Sequence, residues 1–184
     1  MAKIEQTALD GVLLVTPRRF GDDRGYFSET YNKRVFEEAG LAADFIQDNQ
    51  SFSRTKGTVR GLHYQAPPYA QAKLVRVVQG AVMDIAVDAR KGSPSFGKHV
   101  SAVLSADNGA QLFVPEGFLH GFATLEADTL VIYKVNNYYN ADADGSVRWN
   151  DPDLGLDWGI GDIEATLSQK DAAAPSWSKF QSPF

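Results

Sequence analysis

The feature that most constrains the fold of this chain is a series of short runs rich in β-branched and aromatic residues, each bounded by turn-forming residues. The runs lie at 11–16, 26–31, 45–53, 58–65, 73–79, 81–88, 96–104, 111–114, 118–125 and 129–138. Such runs predict β-strands, and many of them at close spacing predict an all-β sandwich or small barrel.

Helical patterns are scarce, so we expect helices to be minor elements. Residues 32–39 have a helical pattern, with Asn32 suited to the N-cap and Gly40 suited to the position just past the end. A second, shorter helix is predicted near 169–174. Because strands and helices do not alternate along the chain, a doubly wound parallel sheet is not expected.

Two turn motifs predict how strands connect. Gln79-Gly80 separates the runs at 73–79 and 81–88, which predicts a β-hairpin between them. Asp107-Asn108-Gly109 predicts a second turn.

The length of 184 residues suits one domain. We expect a single domain over residues 1–184, with its core over about 10–140 and a loop and C-terminal segment over 141–184. The tail after Ala174 is expected to be loose.

The composition excludes several classes of chemistry. There is no cysteine, so disulfides, thiolate metal sites and cysteine nucleophiles are ruled out. The net charge of −5 is not typical of a nucleic-acid-binding protein, although a local basic cluster could still bind a small anion. The N-terminal residues lack the apolar stretch of a signal peptide, and no apolar run approaches the ~20 residues that span a bilayer. We therefore expect a cytoplasmic protein that binds neither nucleic acid nor a membrane.

His63 is a candidate general base, because imidazole titrates near neutral pH. A structural histidine with satisfied hydrogen bonds is the other interpretation. Strict alternation places Arg60 and His63 on opposite faces of their strand. They can share a pocket only if the strand bends or bulges, and Gly61 is where it could do so. Spacing alone leaves this open.

The other two histidines fit simpler roles. His120 lies between Gly117 and Gly121, which indicates close packing, with the imidazole either inside a barrel bend or bonded to backbone. His99, beside Lys98, is expected to be solvated. The three histidines lack the close pair that metal-binding β-barrels use, so no metal is expected.

Tyr133 alternates with Val131 and Val135, so its phenol enters the interior if this set faces inward. It is then either an ordinary core tyrosine or an acid that delivers a proton. Several basic side chains could bind a diphosphate if they converge, and these are Arg24, Arg60, Lys73, Arg76 and Lys170.

Nine motifs, in order along most of the chain, resemble the dTDP-4-dehydrorhamnose 3,5-epimerase family of nucleotide-sugar enzymes. They are GDDRGYFSETYN at 21–32, FIQDNQS at 45–51, VRGLHYQ at 59–65, AKLVRVVQGAVMDIAVDAR at 72–90, SPSFG at 93–97, VPEGFLHGF at 114–122, IYKVNNYY at 132–139, WNDP at 149–152 and LSQKDAAAP at 167–175. One motif alone would be a weak signal, whereas nine in order are specific.

The resemblance implies a cupin-like jelly-roll β-sandwich with few short helices, a homodimer, and an enzyme that uses neither a metal nor a cofactor. It implies a dTDP-4-keto-6-deoxyhexose as substrate. The implied reaction is epimerisation of dTDP-4-dehydro-6-deoxy-D-glucose at C3 and C5 to dTDP-4-dehydro-L-rhamnose, on the route to dTDP-L-rhamnose.

Motif matching also implies residue roles. His63 corresponds to the catalytic base, Asp171 to its paired carboxylate, Tyr133 to the general acid and Lys73 to the residue near the 4-keto oxygen. The implied substrate-binding residues are Arg24, Glu29, Gln47, Asp48, Asn49, Arg60, Lys73, His120, Tyr138, Asp144 and Lys170. Tyr138 corresponds to an aromatic residue that contacts the thymine. Asp144 departs from the family glutamate, and a water could bridge the gap that its shorter side chain leaves.

Three alternatives stay open. A single-carbon epimerase acting at C3 or C5 would share these motifs. A non-catalytic jelly roll that binds sugar nucleotides would have no need of a base and an acid. A metal-dependent cupin oxygenase or isomerase is disfavoured by the number and spacing of the histidines.

Overall fold

The computed structural model describes residues 2–41 and 43–184, and strands dominate it. In chain order the strands are β1 (Lys3–Gln6), β2 (Leu13–Thr16), β3 (Arg19–Asp22), β4 (Gly25–Ser28), β5 (Gln47–Ser53), β6 (Val59–Gln65), β7 (Lys73–Gln79), β8 (Ala81–Asp88), β9 (His99–Ser105), β10 (Gln111–Val114), β11 (Phe118–Thr124), β12 (Thr129–Val135) and β13 (Asp144–Ser146).

The strands form two antiparallel sheets and a separate hairpin. The first sheet has the order β1-β2-β10-β7-β12-β5, and the second has the order β13-β6-β11-β8-β9. Strands β3 and β4 pair only with each other. The main core lies between the two sheets, where Val75 and Val131 of the first meet Val82 and Phe122 of the second. The predicted all-β jelly-roll sandwich is confirmed.

Both predicted helices are present and short. Helix α1 (Lys33–Glu38) begins after Asn32, whose side chain accepts a hydrogen bond from the Val35 N–H at 3.4 Å. Gly40, just past its end, has φ +86°. Helix α2 (Gln169–Ala172) carries Lys170 and Asp171, and a 3-10 turn follows at Trp177–Lys179.

The predicted hairpin at Gly80 is wrong. Strand β7 pairs with β10 and β12, whereas β8 pairs with β9 and β11 in the other sheet. Gly80, at φ +76°, therefore carries the chain from one sheet to the other. A β-carbon at Gly80 would lie 2.4 Å from Thr129 Oγ1, so glycine is required by close approach as well as by φ. A tight turn looks alike in sequence whether it pairs two strands or separates them.

The C-terminal tail, which was expected to be loose, is packed on the outer face of the second sheet. Trp177 stacks on Phe180 with ring centroids 5.1 Å apart, and Tyr64 of β6 contacts Phe180 and Phe184 edge-on. The Lys91 N–H donates to the Phe184 carbonyl at 3.0 Å. The aromatic residues exclude water from this face, and the tail therefore helps to hold α2 against β6.

Within the described part of the chain, no helix is both long and apolar enough to cross a bilayer.

Candidate active site

A cavity of about 230 Å³ opens between the two sheets, beside the main core. Its lining is mostly polar or charged and comes from both sheets and from α2. The lining residues are Ser51, Arg60, His63, Lys73, His120, Phe122, Tyr133, Ser168, Lys170 and Asp171. The four residues predicted to be catalytic thus share one cavity.

The first feature of the cavity is a pair formed by His63 and Asp171. The His63 Nε2 lies 2.5 Å from Asp171 Oδ1, and the Asp171 side chain is 4% exposed. The other carboxylate oxygen accepts from the Ser168 hydroxyl at 2.9 Å, and the Asp171 N–H donates to that same hydroxyl at 3.1 Å. Burial alone would raise the pKa of Asp171, but the bonds from His63 and Ser168 and the charge on Lys170 outweigh it and lower this pKa. Asp171 is therefore a fixed anion that orients the imidazole.

A bulge in β6 brings Arg60 and His63 to the same cavity. Gly61 lies between them at φ +124°, and the pairing of β6 with β11 shifts register here: His63 is opposite His120, whereas Arg60 is opposite Phe122. The spacing left open whether the strand bends at Gly61, and the structure shows that it does. Arg60 is held by a bond from its Nε to Ser53 Oγ at 3.3 Å.

Lys73 enters the cavity from β7. Its side chain follows the inward-facing positions of Val75 and Val77, and it has no salt-bridge partner among the described residues. Burial lowers its pKa to about 8, partly opposed by the negative charges of Asp84 and Asp144. Lys73 therefore remains largely an ammonium near neutral pH, where it can interact with a developing negative charge.

Tyr133 enters from β12, on the same sheet as Lys73. Its neighbours on that face, Val131 and Val135, are fully buried, so this set faces inward and the phenol enters the interior. Burial raises the pKa of the phenol, and the nearby Arg60 opposes this in part. The raised pKa keeps the hydroxyl protonated at neutral pH, as a proton donor requires.

His120 is paired with a carboxylate that the sequence did not single out. Its Nε2 lies 2.8 Å from Asp84 Oδ1, and the two side chains are 8% and 0% exposed. Burial lowers the pKa of His120, although Asp84 opposes this, so the imidazole is neutral near pH 7. An acidic residue flanked on both sides by apolar residues, in AVMDIAV at 81–87, was the available signal for Asp84.

His99 lies away from the cavity, and it is half-buried instead of solvated. Burial lowers its pKa, with a further contribution from Lys98.

The predicted substrate-binding residues are only partly brought together. Arg60, Lys73, His120 and Lys170 line the cavity. At its edge, Asp144 of β13 accepts from Lys170 Nζ and from the Tyr139 hydroxyl.

Strand β5 divides its predicted residues between two faces. Gln47 and Asn49 alternate onto the face that carries Ser51, and Gln47 Nε2 donates to Asn49 Oδ1 at 2.8 Å. Asp48 points to the outer face, where it accepts from Lys134 Nζ at 2.8 Å. Asp48 is therefore separated from the cavity by the sheet, because side chains alternate along a strand.

Three further predicted residues lie outside the cavity. Arg24 belongs to the β3–β4 hairpin, with its side chain 90% exposed and paired with Asp22. Glu29 follows β4 and accepts from Asn32 Nδ2 at 3.3 Å. Tyr138 is 65% exposed. Within one chain, Arg60, Lys73 and Lys170 therefore converge on the cavity, but Arg24 does not join them.

No group of three or more histidine, aspartate or glutamate side chains is placed to hold a metal ion within residues 2–41 and 43–184.

A histidine with its carboxylate on one wall, facing a tyrosine and a lysine on the other, is the arrangement of a class, the acid–base isomerases, here built on a jelly roll. The comparisons with known proteins narrow the class. The family model described as dTDP-4-dehydrorhamnose 3,5-epimerase matches residues 6–179. The chain belongs to the dTDP-4-dehydrorhamnose 3,5-epimerase family.

Individual relatives agree with this assignment. The dTDP-4-dehydrorhamnose 3,5-epimerase of Sinorhizobium fredii is 52% identical over 90% of this chain and 84% of its own length. A crystal structure of the 3,5-epimerase of Legionella pneumophila, in complex with dTDP-4-keto-L-rhamnose, has a TM-score of 0.93 and 41% identity, covering 98% of this chain and 95% of that chain. A 3'-monoepimerase of Streptomyces bikiniensis, solved with dTDP-quinovose, has a TM-score of 0.86 and 32% identity, covering 92% and 85%.

Proposed function

We propose that this enzyme epimerises dTDP-4-dehydro-6-deoxy-D-glucose at C3 and C5 to give dTDP-4-dehydro-L-rhamnose, in the biosynthesis of dTDP-L-rhamnose. The observation that carries the proposal is the placement of His63, paired with Asp171 of α2, and of Tyr133 on the two facing sheets of one cavity. Epimerisation needs this arrangement, because a proton must leave one face of the carbon and another must arrive at the opposite face.

His63 acts as the base. The 4-ketone of the substrate acidifies the C–H bonds on both neighbouring carbons, since loss of either proton gives an enolate. His63 takes this proton, and Asp171 stabilises the imidazolium that forms. The ring stays in one orientation because Asp171 is itself held by Ser168.

Lys73 and Tyr133 complete the reaction. The Lys73 ammonium stabilises the negative charge on the enolate oxygen, a preorganised electrostatic contribution that often dominates catalysis. Tyr133 delivers a proton to the opposite face, at least at C5, and inverts the centre. Hydrogen leaves and returns as a proton, so the proposed reaction needs no redox cofactor. The expectations of no metal and no cofactor stay predictions, and metal analysis of the purified protein tests the first.

Incubation with dTDP-4-keto-6-deoxyglucose in deuterated water, followed by NMR at both carbons, tests this proposal. The wild-type enzyme should introduce deuterium at C3 and C5 and invert both. His63→Ala should abolish exchange at both carbons, because the other histidine of that wall, His120, is bonded to the buried Asp84. Exchange at near wild-type rate in His63→Ala would contradict the assignment of the base.

Tyr133→Phe separates the acid from the base. This variant should lose complete inversion while exchange of the substrate C–H for deuterium continues, because deprotonation does not need the phenol. Inversion at only one carbon is a further expected result. Equal loss of every step would contradict a role restricted to proton delivery.

The principal alternative is a single-carbon epimerase, and the likeness to a 3'-monoepimerase keeps it open. The same NMR experiment decides between them: inversion at both carbons supports the 3,5-epimerase, and inversion at one supports the alternative. Binding of the nucleotide sugar with no exchange at either carbon would support a non-catalytic binding protein.

A homodimer is part of the proposal, and the β3–β4 hairpin supports it. The hairpin exposes Phe20, Tyr26 and Phe27 at 49%, 59% and 68%, and grouped exposed aromatics are typical of interaction surfaces. Binding roles for Arg24 and Glu29, which lie outside their own cavity, would then require that the hairpin reach the cavity of a partner chain.

Mixing inactive variants tests the dimer. An Arg24→Ala chain combined with a His63→Ala chain should recover activity if each site takes Arg24 from the partner, because a mixed dimer has one intact site. Light scattering gives the oligomeric state directly. A monomeric active enzyme would contradict both the dimer and the shared site.

A further inference from the structure

Two buried side-chain polar atoms of the described residues lack a hydrogen-bond partner, Ser51 Oγ and Asp84 Oδ2. The Ser51 hydroxyl lines the cavity, where a bound substrate can satisfy it. Asp84 is different, because it is a fully buried carboxylate behind the cavity wall. A buried carboxylate with a free oxygen is costly unless a positive charge compensates it.

The partner of Asp84 Oδ1 does not supply that charge. His120 is buried beside Asp84 in the interior, where the charged form of an imidazole is disfavoured. A neutral His120 donates one hydrogen bond to Asp84 and leaves its negative charge uncompensated.

Lys73 is the complementary group. It extends from the inner face of the first sheet, opposite the inner face of the second, where Asp84 lies. The other nearby carboxylates are engaged elsewhere: Asp144 accepts from Lys170 and Tyr139, and both oxygens of Asp171 accept from His63 and Ser168. Asp84 thus differs from them, because its free oxygen is buried and has no hydrogen-bond partner among the described residues.

We propose that Asp84 is a positioning residue for the epimerisation, whose buried negative charge keeps the facing Lys73 side chain protonated across the space between the two sheets. The part of this inference that concerns catalysis rests on the proposed function, because an enolate oxygen needs a cation nearby and a neutral lysine does not provide one. Its structural part, the coupling of Lys73 to Asp84, holds for the protein without substrate.

Lys73 is surrounded by charged and titratable groups from several elements. They are Asp84 of β8, Asp144 of β13, Lys170 and Asp171 of α2, His63 and Arg60 of β6, His120 of β11 and Tyr133 of β12. Asp84 and Asp144 raise the pKa of Lys73 and Lys170 lowers it, but burial is the larger effect and leaves this pKa at about 8. Removal of the Asp84 charge therefore lowers the pKa of Lys73 further.

Asp84→Asn tests the inference through the pH profile. The amide keeps the size of the side chain but not its charge, so the alkaline limb of kcat should move to lower pH by about one unit or more. The loss of rate should be about tenfold or more at pH 9 and much smaller at pH 6, where Lys73 is protonated in both proteins. Asp84→Glu, which restores the charge, should move the limb back toward the wild-type position. Asp107→Asn, in an exposed turn, is the matched control and should leave the profile unchanged.

A direct titration separates this inference from the reaction itself. Lysines methylated with ¹³C report their pKa by NMR, and Lys73→Arg identifies the Lys73 signal. The Lys73 signal should titrate at lower pH in Asp84→Asn than in wild type. If it does so while wild type exchanges no substrate protons, the proposed function fails and the coupling stands. The inference is overturned if Asp84→Asn lowers kcat by the same factor at every pH and leaves the titration of the Lys73 signal unchanged.

A measurement on the wild-type protein covers the case in which the variants fail to fold. The ¹³C resonance of the Asp84 carboxyl distinguishes an ionised from a protonated group. An ionised Asp84 between pH 5 and pH 9 supports the proposed coupling, whereas a protonated one overturns it.

Discussion

The molecule contains two histidine–aspartate pairs in opposite settings. His63 is 31% exposed, and the oxygens of its partner Asp171 are both engaged. His120 is 8% exposed, and its partner Asp84 is fully buried with one oxygen free. The same two residue types thus form two different pairs. One is accessible to solvent and has a carboxylate with both oxygens bonded, and the other is buried and has a carboxylate with one oxygen unbonded.

The two settings suit different roles: the accessible pair can transfer a proton, whereas the buried pair holds a charge. A base must exchange protons with substrate and solvent, so its imidazole needs access and its carboxylate must stay fixed. A buried pair cannot turn over protons in this way, because burial disfavours the imidazolium. Its free carboxylate oxygen suits it instead to balance a neighbouring cation.

Asp171→Asn, which alters the accessible pair, should have the largest effect on the rate. The amide cannot stabilise the imidazolium, so kcat should fall by about 10²–10⁴, the range typical of general acid–base catalysis. The loss should persist at every pH, in contrast to Asp84→Asn. Steady-state rates from pH 6 to 9 measure it, with circular dichroism to show that the variant folds. A rate within threefold of wild type would show that the accessible pair is not the base.

Gly61→Ala should disturb both pairs at once. The new β-carbon would lie 2.7 Å from Gly121 Cα and 2.8 Å from the His120 carbonyl, at φ +124°. These backbone atoms cannot move aside, so the free energy of unfolding should fall by about 3 kcal/mol.

Gly92→Ala is the matched control for Gly61→Ala. Gly92 also has a positive φ, +86°, but open space surrounds its β-carbon position. Its loss should be about 1 kcal/mol. Urea denaturation compares the two variants, and equal losses would show that strain in φ, and not the contact with β11, sets the cost.

Ser168→Ala should have the smallest effect. It removes the hydroxyl that donates to Asp171 and also accepts the N-cap bond of α2, so about 1 kcal/mol of stability should be lost. The rate should fall about tenfold, because Asp171 becomes less well held. Ser176→Ala is the control, since Ser176 precedes the 3-10 turn and makes no side-chain capping bond. Equal rates for the two variants would show that Ser168 does not position Asp171.

Much of this molecule could be predicted from local patterns. The capped helix after Asn32 was predicted because asparagine favours the N-cap, and Gly61 was named as the position where β6 could bulge because glycine tolerates unusual backbone angles. Asp48 was assigned to the cavity by motif matching, although the alternation of β5 places it on the face opposite Gln47 and Asn49. The alternation was the better guide to side-chain direction, because it follows from backbone geometry alone.

Contacts between distant segments could not be predicted in this way. The turn at Gly80 gave no sign that β7 and β8 pair in different sheets, since strand pairing depends on the whole set of strands. Asp84 was missed because its partner, His120, comes from another strand. The burial of the tail depends on contacts with Tyr64. The direction of the Tyr64 side chain is fixed only when β6 has taken its position in the second sheet.

The crossover at Gly80 also bears on the order in which the cavity assembles during folding. It joins β7, which carries Lys73, directly to β8, which carries Asp84, so these two residues are only 11 positions apart in sequence. His63 and Asp171 are separated by 108 positions and can meet only after the intervening chain has folded. Contacts between residues that are distant in sequence cost more chain entropy. We therefore expect Lys73 and Asp84 to come together early in folding and the His63–Asp171 pair to form last.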